Sequence, residues 1–371
     1  MVKRKNLLSR RLLHTLADPD VLPTLALEDW NCLVPLGRRT GVLGRLYPAI
    51  TAINRQHSIP AVVLPHLEAA FILAQEHERM IHWEVNQIQR ALHPITAPII
   101  LLKGAAYVMA GLPCARGRLV ADVDILAHKE QLTVVEQALT RHGWDTITAD
   151  AYDQEYYRRW MHELPPLRHR LRGTVVDLHH TILPETSRLK PDPAKLFANA
   201  RSLERTPFFV LAPTDMVLHS AAHAFHDGEL SNSLRDLLDL HDLLNHFGKE
   251  PGFWEALPGR AQELELSRPL FYALRYARRF LETPIPTTVT AALRPAAPPR
   301  PVLRLMDTLL DRVLLPGEQP PRPGPRFARW LLYIRSHWLR MPPWLLAGHL
   351  LHKSYKRLQA RPAGDRREVA R

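Results

Sequence analysis

Two aspartates one residue apart, Asp122 and Asp124, sit inside the apolar run LVADVDILA, and that run constrains the chain more than any other stretch. In a strand, successive side chains point to opposite faces. Both carboxylates therefore share one face, while Val123 and Ile125 take the other. Carboxylates held side by side in an apolar strand repel each other. A divalent cation is the natural group to offset that repulsion. Upstream, the short apolar strand Pro98-Ile99-Ile100-Leu101-Leu102 runs into a Lys103-Gly104 turn. Ala105–Ala110 then reads as a brief helix, ended by Gly111 and Pro113.

The pattern around this stretch is strand–helix–strand. Lys129–His142 is an amphipathic helix with Leu132, Val135 and Leu139 on one face, stopped by Gly143. Trp144–Ala149 reads as a third strand. Leu167–Leu171 and Val175–Ile182 flank Arg172-Gly173-Thr174 as a hairpin. Its second arm carries a lone acid, Asp177, in another apolar run. The fold class is α+β, with a small mixed-sheet core flanked by N-terminal and C-terminal helical regions.

Five segments follow. Residues 1–95 form an N-terminal helical region, in which Leu64–Leu92 contains no Gly and has its one Pro, Pro65, where a helix tolerates it. Residues 96–213 form the α/β core. Residues 214–283 pack on it as helices, expected at Asp215–Phe225, Ser233–Phe247 and Arg260–Glu282. Residues 284–325 are a Pro-rich connector with a short helix over Val302–Leu315. Residues 326–371 are a basic, Trp-rich helical tail.

Charge separates the tail from the rest. The chain carries a net +12, but from Arg326 to Arg371 eleven Lys/Arg face two acids, Asp365 and Glu368. The remainder is close to neutral, which argues against a long nucleic acid as partner of the core. Two cysteines, Cys32 and Cys114, exclude a disulfide framework and a thiolate zinc site. No run approaches the roughly 18 apolar residues of a membrane-spanning helix, and the expected location is cytoplasmic. Trp330, Trp338 and Trp344, with Arg329, Arg335, Arg340, Lys353, Lys356 and Arg357, favour a helical pair that packs its tryptophans on the domain. An interfacial helix on a membrane surface, an anionic partner, and single-stranded nucleic acid are the other readings, in that order.

The full motif, LLKGAA followed by R-x-x-x-D-V-D-I-L, resembles the uncharacterised bacterial nucleotidyltransferase branch of the DNA-polymerase-beta-like nucleotidyltransferase superfamily. The signature itself covers Leu101–Ala127, and the domain it implies runs over roughly Ala97–Phe247. The resemblance implies two Mg²⁺ ions held by Asp122, Asp124 and Asp177, with an NTP as substrate. Two such ions, about 3.5–4 Å apart, stabilise both the attacking and the leaving oxygen. It also implies that Asp177 orients or deprotonates the acceptor hydroxyl. Gly104 and Ala105 would let the backbone approach the phosphates, and Lys103 or Arg118 would neutralise them. The superfamily often carries Gly-Ser at this turn, where this chain has Gly104-Ala105.

On this basis the expected activity is transfer of an NMP from an NTP to an acceptor oxygen, with release of pyrophosphate. The acceptor is expected to be a small molecule or peptide. The alternatives are a non-catalytic nucleotide- or partner-binding regulator with the same fold, and an antitoxin-like enzyme that nucleotidylates a partner protein. His179 shares the face of Asp177 by strand parity and is read first as a packed or hydrogen-bonded strand residue, and second as a substrate contact. His219 and His223, four apart on a helix with His226 beyond, lack the Glu and Cys of a zinc site. Asp236 and Asp239 are read as solvated acids on the polar side of a packing helix.

Overall fold

The computed structural model describes residues 13, 15–147, 151–227, 233–314 and 323–342. A seven-stranded mixed sheet forms its centre, in the order β3-β4-β5-β2-β1-β7-β6. These strands are β1 Ile100–Leu101, β2 Asp122–Leu126, β3 Trp144–Thr146, β4 Leu167–His169, β5 Val175–His179, β6 Arg201–Ser202 and β7 Phe209–Val210. β2 lies at the middle, antiparallel to β1 and parallel to β5. The register sets Asp124 opposite Asp177 and Leu126 opposite His179. The expected hairpin is β4 and β5, paired antiparallel, and β3 adds to its outer edge. The two-residue strands β6 and β7, too short to leave a periodic signal, extend the other edge, with β7 parallel to β1.

Helices surround the sheet: α1 Leu27–Arg39, α2 Leu46–Ala52, α3 Leu64–Leu92, α4 Lys103–Met109, α5 Leu132–Arg141, α6 Ala151–Trp160, α7 Pro193–Ala198, α8 Pro213–Ala222, α9 Ser233–Phe247, α10 Phe253–Glu263, α11 Ser267–Leu281, α12 Thr287–Ala292, α13 Arg300–Val313 and α14 Pro323–Arg340. The long α3 buries Leu67, Ala74, Ile81, Val85, Ile88 and Leu92 along one stripe. Its Glu84 is also buried, and pairs with Arg172 from the β4–β5 turn through two hydrogen bonds of 3.0 and 2.9 Å. The Arg172 guanidinium lies between the rings of Trp83 and Trp144. This clamp fastens the N-terminal helix to the hairpin that carries Asp177.

Three expectations change. The helix expected over Arg260–Glu282 is two helices, α10 and α11, because Glu265 adopts a left-handed backbone (φ +61°) between them. The proline-rich stretch after Pro284 is not wholly irregular, since Thr287–Ala292 is helical. On α14 the buried side is Ala328, Leu332, Ser336 and His337, whereas Trp330 and Trp338 are 55% and 46% exposed. Small and branched residues reach the neighbouring helices more closely than indole rings do, so the tryptophans are not the packing face. Trp344, Lys353, Lys356 and Arg357 lie outside the described residues. Among the described residues no helix is long and apolar enough to cross a membrane.

Candidate active site

The site stands at the N-terminal end of β2 and along its flank with β5. Parity and register bring Asp122, Asp124 and Asp177 to one face of the sheet. Asp122, at the strand end, is exposed, while Asp124, two residues inward, is 3% exposed. β1 ends at Leu101, and the Leu102 amide donates to the Asp124 carbonyl at 2.9 Å. The next residue, Lys103, opens α4 with φ +43°, a left-handed conformation unusual for a side chain of this size. From there Lys103 Nζ donates to Asp124 Oδ1 at 2.9 Å. His179 Nε2 lies 3.0 Å from the same oxygen and 3.4 Å from Glu163 Oε2.

The electrostatics follow from this arrangement. Burial opposes ionisation of Asp124, but the Lys103 ammonium, with His179, more than offsets it and holds the carboxyl well below the usual carboxylate range. Lys103 is the converse case. Its desolvation is outweighed by Asp124, Glu163 and Asp122, so the ammonium is held more firmly than usual. Asp122 is pushed up, first by partial withdrawal from water and then by the charge of Asp124. Lys103, Arg118 and Arg235 ease it only in part. Behind these residues, His219 of α8 is 4% exposed. Its burial, with the Lys103 charge, pushes the imidazole far below its ordinary value, so it is neutral near pH 7. His219 therefore faces the site as a neutral group.

Arg118 is placed differently from the strand acids. It is buried and its Nε donates to Asp239 Oδ2 of α9 at 2.9 Å. Asp239 also takes a short ion pair from Arg45, whose second amine pairs with Asp242. Arg45 Nη2 donates to the Cys114 carbonyl as well, at 2.9 Å. Asp236 and Asp239 are thus buried, at 5% and 3% exposure, and not solvated. Asp239 is held there by arginines of distant segments that reach across to α9, whereas Asp236 meets Arg235 of its own helix at 3.4 Å and His223 at 3.9 Å.

The turn at Gly104 serves this packing. A Cβ at Gly104 would stand 2.4 Å from Arg118 Nη1 and 2.7 Å from Val120 Cγ1. Any side chain there displaces the arginine. Ala105 next to it is fully buried, so its methyl group belongs to the core.

Sequence reasoning did not single out Glu163 or His162. Glu163 forms an isolated backbone bridge with His179, and one donor atom each from His162, Glu163 and His179 lies within 4.8 Å of the others. The signal available was the His-Glu pair itself, in a segment flanking the hairpin. Its proximity to the aspartates depends on the antiparallel bridge, which no periodicity announces.

A family model described as uncharacterised nucleotidyltransferase matches residues 26–282, more than half of the chain. No curated protein and no solved structure matches it.

Proposed function

The chain belongs to the family of uncharacterised nucleotidyltransferases, and from that premise we propose that it moves a nucleoside monophosphate from an NTP to an acceptor oxygen with two Mg²⁺ ions. The observation that carries this reading is the register of Asp124 against Asp177, with Asp122 on the same face at the open strand end. Three carboxylates suit a hard cation that takes oxygen ligands and completes its shell with water and phosphate. The Lys103 and His179 contacts to Asp124 both fall on Oδ1, which leaves Oδ2 for an ion. Asp122, pushed up by burial and by the charge of Asp124 despite Lys103, Arg118 and Arg235, is the carboxylate with most to gain from a further cation. When bound, the ions neutralise the triphosphate and the charge that develops on the reacting oxygens.

The protein residues supply the rest. Asp122 and Asp124 hold the ions. Asp177 receives the proton of the acceptor hydroxyl as its oxygen bonds to the α-phosphorus. The bond from that phosphorus to the β-phosphate oxygen breaks, and pyrophosphate leaves. Lys103 keeps Asp124 ionised and stands beside the phosphates. Gly104 and Ala105 shape the turn that carries Lys103, and Arg118 holds that turn from behind. The acceptor is a small molecule or peptide, consistent with the near-neutral charge of the chain outside its tail. A cytoplasmic enzyme that visits an anionic membrane surface is supported by Phe327, Trp330 and Trp338, exposed on α14 beside Arg326 and Arg329.

The test is thermal stabilisation by each of the four NTPs, with and without Mg²⁺, for the wild type and the Asp122→Asn/Asp124→Asn double variant. A Mg²⁺-dependent rise that disappears in the double variant is expected, and the NTP giving the largest rise identifies the base. If folded wild-type protein gains no stability from any NTP, the enzyme reading fails and the partner-binding regulator takes its place.

A further inference from the structure

A second group of donors converges beside the three aspartates, and its chemistry differs from theirs. His162 and Glu163 lie between α6 and β4, and His179 ends β5. The antiparallel bridge Glu163↔His179 fixes the two segments against each other. It is continued by Leu164 N–H to the Leu178 carbonyl at 2.8 Å and His180 N–H to the His162 carbonyl at 2.9 Å. The side chains are therefore set by backbone pairing and not by a loose loop. Glu163 Oε2 stands 3.4 Å from His179 Nε2 and 4.0 Å from His162 Nε2. A tetrahedral ion with metal–ligand bonds of about 2.0–2.2 Å has edges of roughly 3.3–3.6 Å between its ligand atoms. One edge already has that length, and the other two, 4.0 Å from Glu163 to His162 and within 4.8 Å between the histidine donors, would draw in on binding.

We propose that His162, Glu163 and His179 form a binding site for Zn²⁺ or a similar first-row transition-metal ion, separate from the carboxylate site for Mg²⁺. Two imidazoles and one carboxylate suit Zn²⁺, whereas Mg²⁺ takes carboxylate and water oxygen. His162 and His179 are buried and Glu163 is half-buried, so the donors are shielded from competing water. Three protein donors leave one position of a tetrahedral shell for water or a substrate oxygen. The site is linked to the aspartates through a shared nitrogen. His179 Nε2 also contacts Asp124 Oδ1 at 3.0 Å, so an ion here competes with Asp124 for that imidazole.

The experiment uses the full chain, stripped with a chelator and titrated with Zn²⁺ against a chromogenic chelator. Co²⁺ replaces Zn²⁺ in a parallel series, for its visible spectrum. One Zn²⁺ per chain is expected, undisturbed by excess Mg²⁺, with a four-coordinate Co²⁺ spectrum. His162→Ala and the isosteric Glu163→Gln should each weaken Zn²⁺ binding by about a hundredfold or more. Asp122→Asn should leave it unchanged. Circular dichroism and thermal melts confirm that each variant is folded. Folded wild type with no stoichiometric Zn²⁺ overturns the site, as does undiminished binding in Glu163→Gln. Binding lost in Asp122→Asn but kept in Glu163→Gln would move the ion to the aspartates and also overturn it. The Mg²⁺–NTP reading is judged by nucleotide stabilisation, so either proposal can fail without the other.

Discussion

Two clusters of buried charge lie back to back across the Gly104 turn, and they are balanced in opposite ways. In the cluster on α9, Arg45 and Arg118 meet Asp239 and Asp242, two cations against two anions. In the cluster on β2 and β5, Asp124, Glu163 and Asp122 act on the Lys103 ammonium, and Asp177 lies opposite Asp124 on the same face of the sheet. The first is closed: its donors and acceptors face each other, and breaking one leaves a charge stranded in the core. In the second, among the described residues, three carboxylates act on the Lys103 ammonium, and the proposed Mg²⁺ ions would complete its balance. Location follows the same division, since the closed cluster ties together distant helices and the open one sits at a strand end with Asp122 facing solvent.

The largest effect that would test this contrast is on the closed side. Asp239→Asn leaves Arg45 and Arg118 short of a charge partner in the core, and should cost about 3–5 kcal/mol of folding stability by denaturant unfolding. A loss below about 1 kcal/mol would show that the network is not the closed unit described. Gly104→Ala comes next. Its methyl group meets Arg118 Nη1 and Val120 Cγ1 well inside van der Waals contact, and overpacking of this kind costs about 1–3 kcal/mol. Because the same turn carries Lys103, the variant should also lose Mg²⁺–NTP stabilisation, whereas a variant that keeps it would uncouple the two clusters.

A smaller effect concerns acid pH. Burial holds His219, His180 and His241 below their ordinary value of about 6.5, so between the lowered folded-state values and about pH 6.5 the unfolded chain binds more protons than the folded one. Stability is therefore fully present above about pH 6.5 and declines as pH falls, by at most about 1.4 kcal/mol per pH unit for each such group. His219→Gln should flatten that decline between pH 6.5 and 5, and an unchanged slope would remove His219 from the account. The smallest stability effect should belong to the open cluster. Asp122→Asn removes a carboxyl already pushed up, so its unliganded stability should stay within about 0.5 kcal/mol of wild type. Its Mg²⁺–NTP stabilisation should nevertheless vanish. Near-silence without ligand combined with full loss of the ligand response distinguishes a binding carboxylate from a structural one.

The open cluster was the more legible of the two in the sequence. Strand parity places Asp122 with Asp124, and the apolar run around Asp177 marks a matching strand. Parity also puts His179 on the Asp177 face, where it meets Asp124. What parity does not carry is register between strands, so the Asp124–Asp177 pairing waited for the structure. The closed cluster was illegible for a different reason. Arg45 and Arg118 reach α9 from 194 and 121 residues away, and side chains so separated leave no local pattern. Asp239 therefore looks like an ordinary polar-face acid until its partners are known. The long helices such as Leu64–Leu92 and Ser233–Phe247 were legible from apolar spacing, but the short Ala151–Trp160 and Pro193–Ala198 were not, nor was the break at Glu265, because a non-glycine residue with left-handed backbone gives no compositional sign.

The span of the Arg45–Asp239 and Arg118–Asp239 pairs also sets a schedule for biosynthesis. At translation rates of about 5–20 residues per second, Asp239 emerges about 6–24 s after Arg118. Until then the nascent chain holds two guanidiniums whose native carboxylate partners do not yet exist. The strand pair bearing the aspartates can be synthesised in full, yet the turn behind it stays unanchored. The strands bearing the aspartates and the support behind them thus mature at different moments.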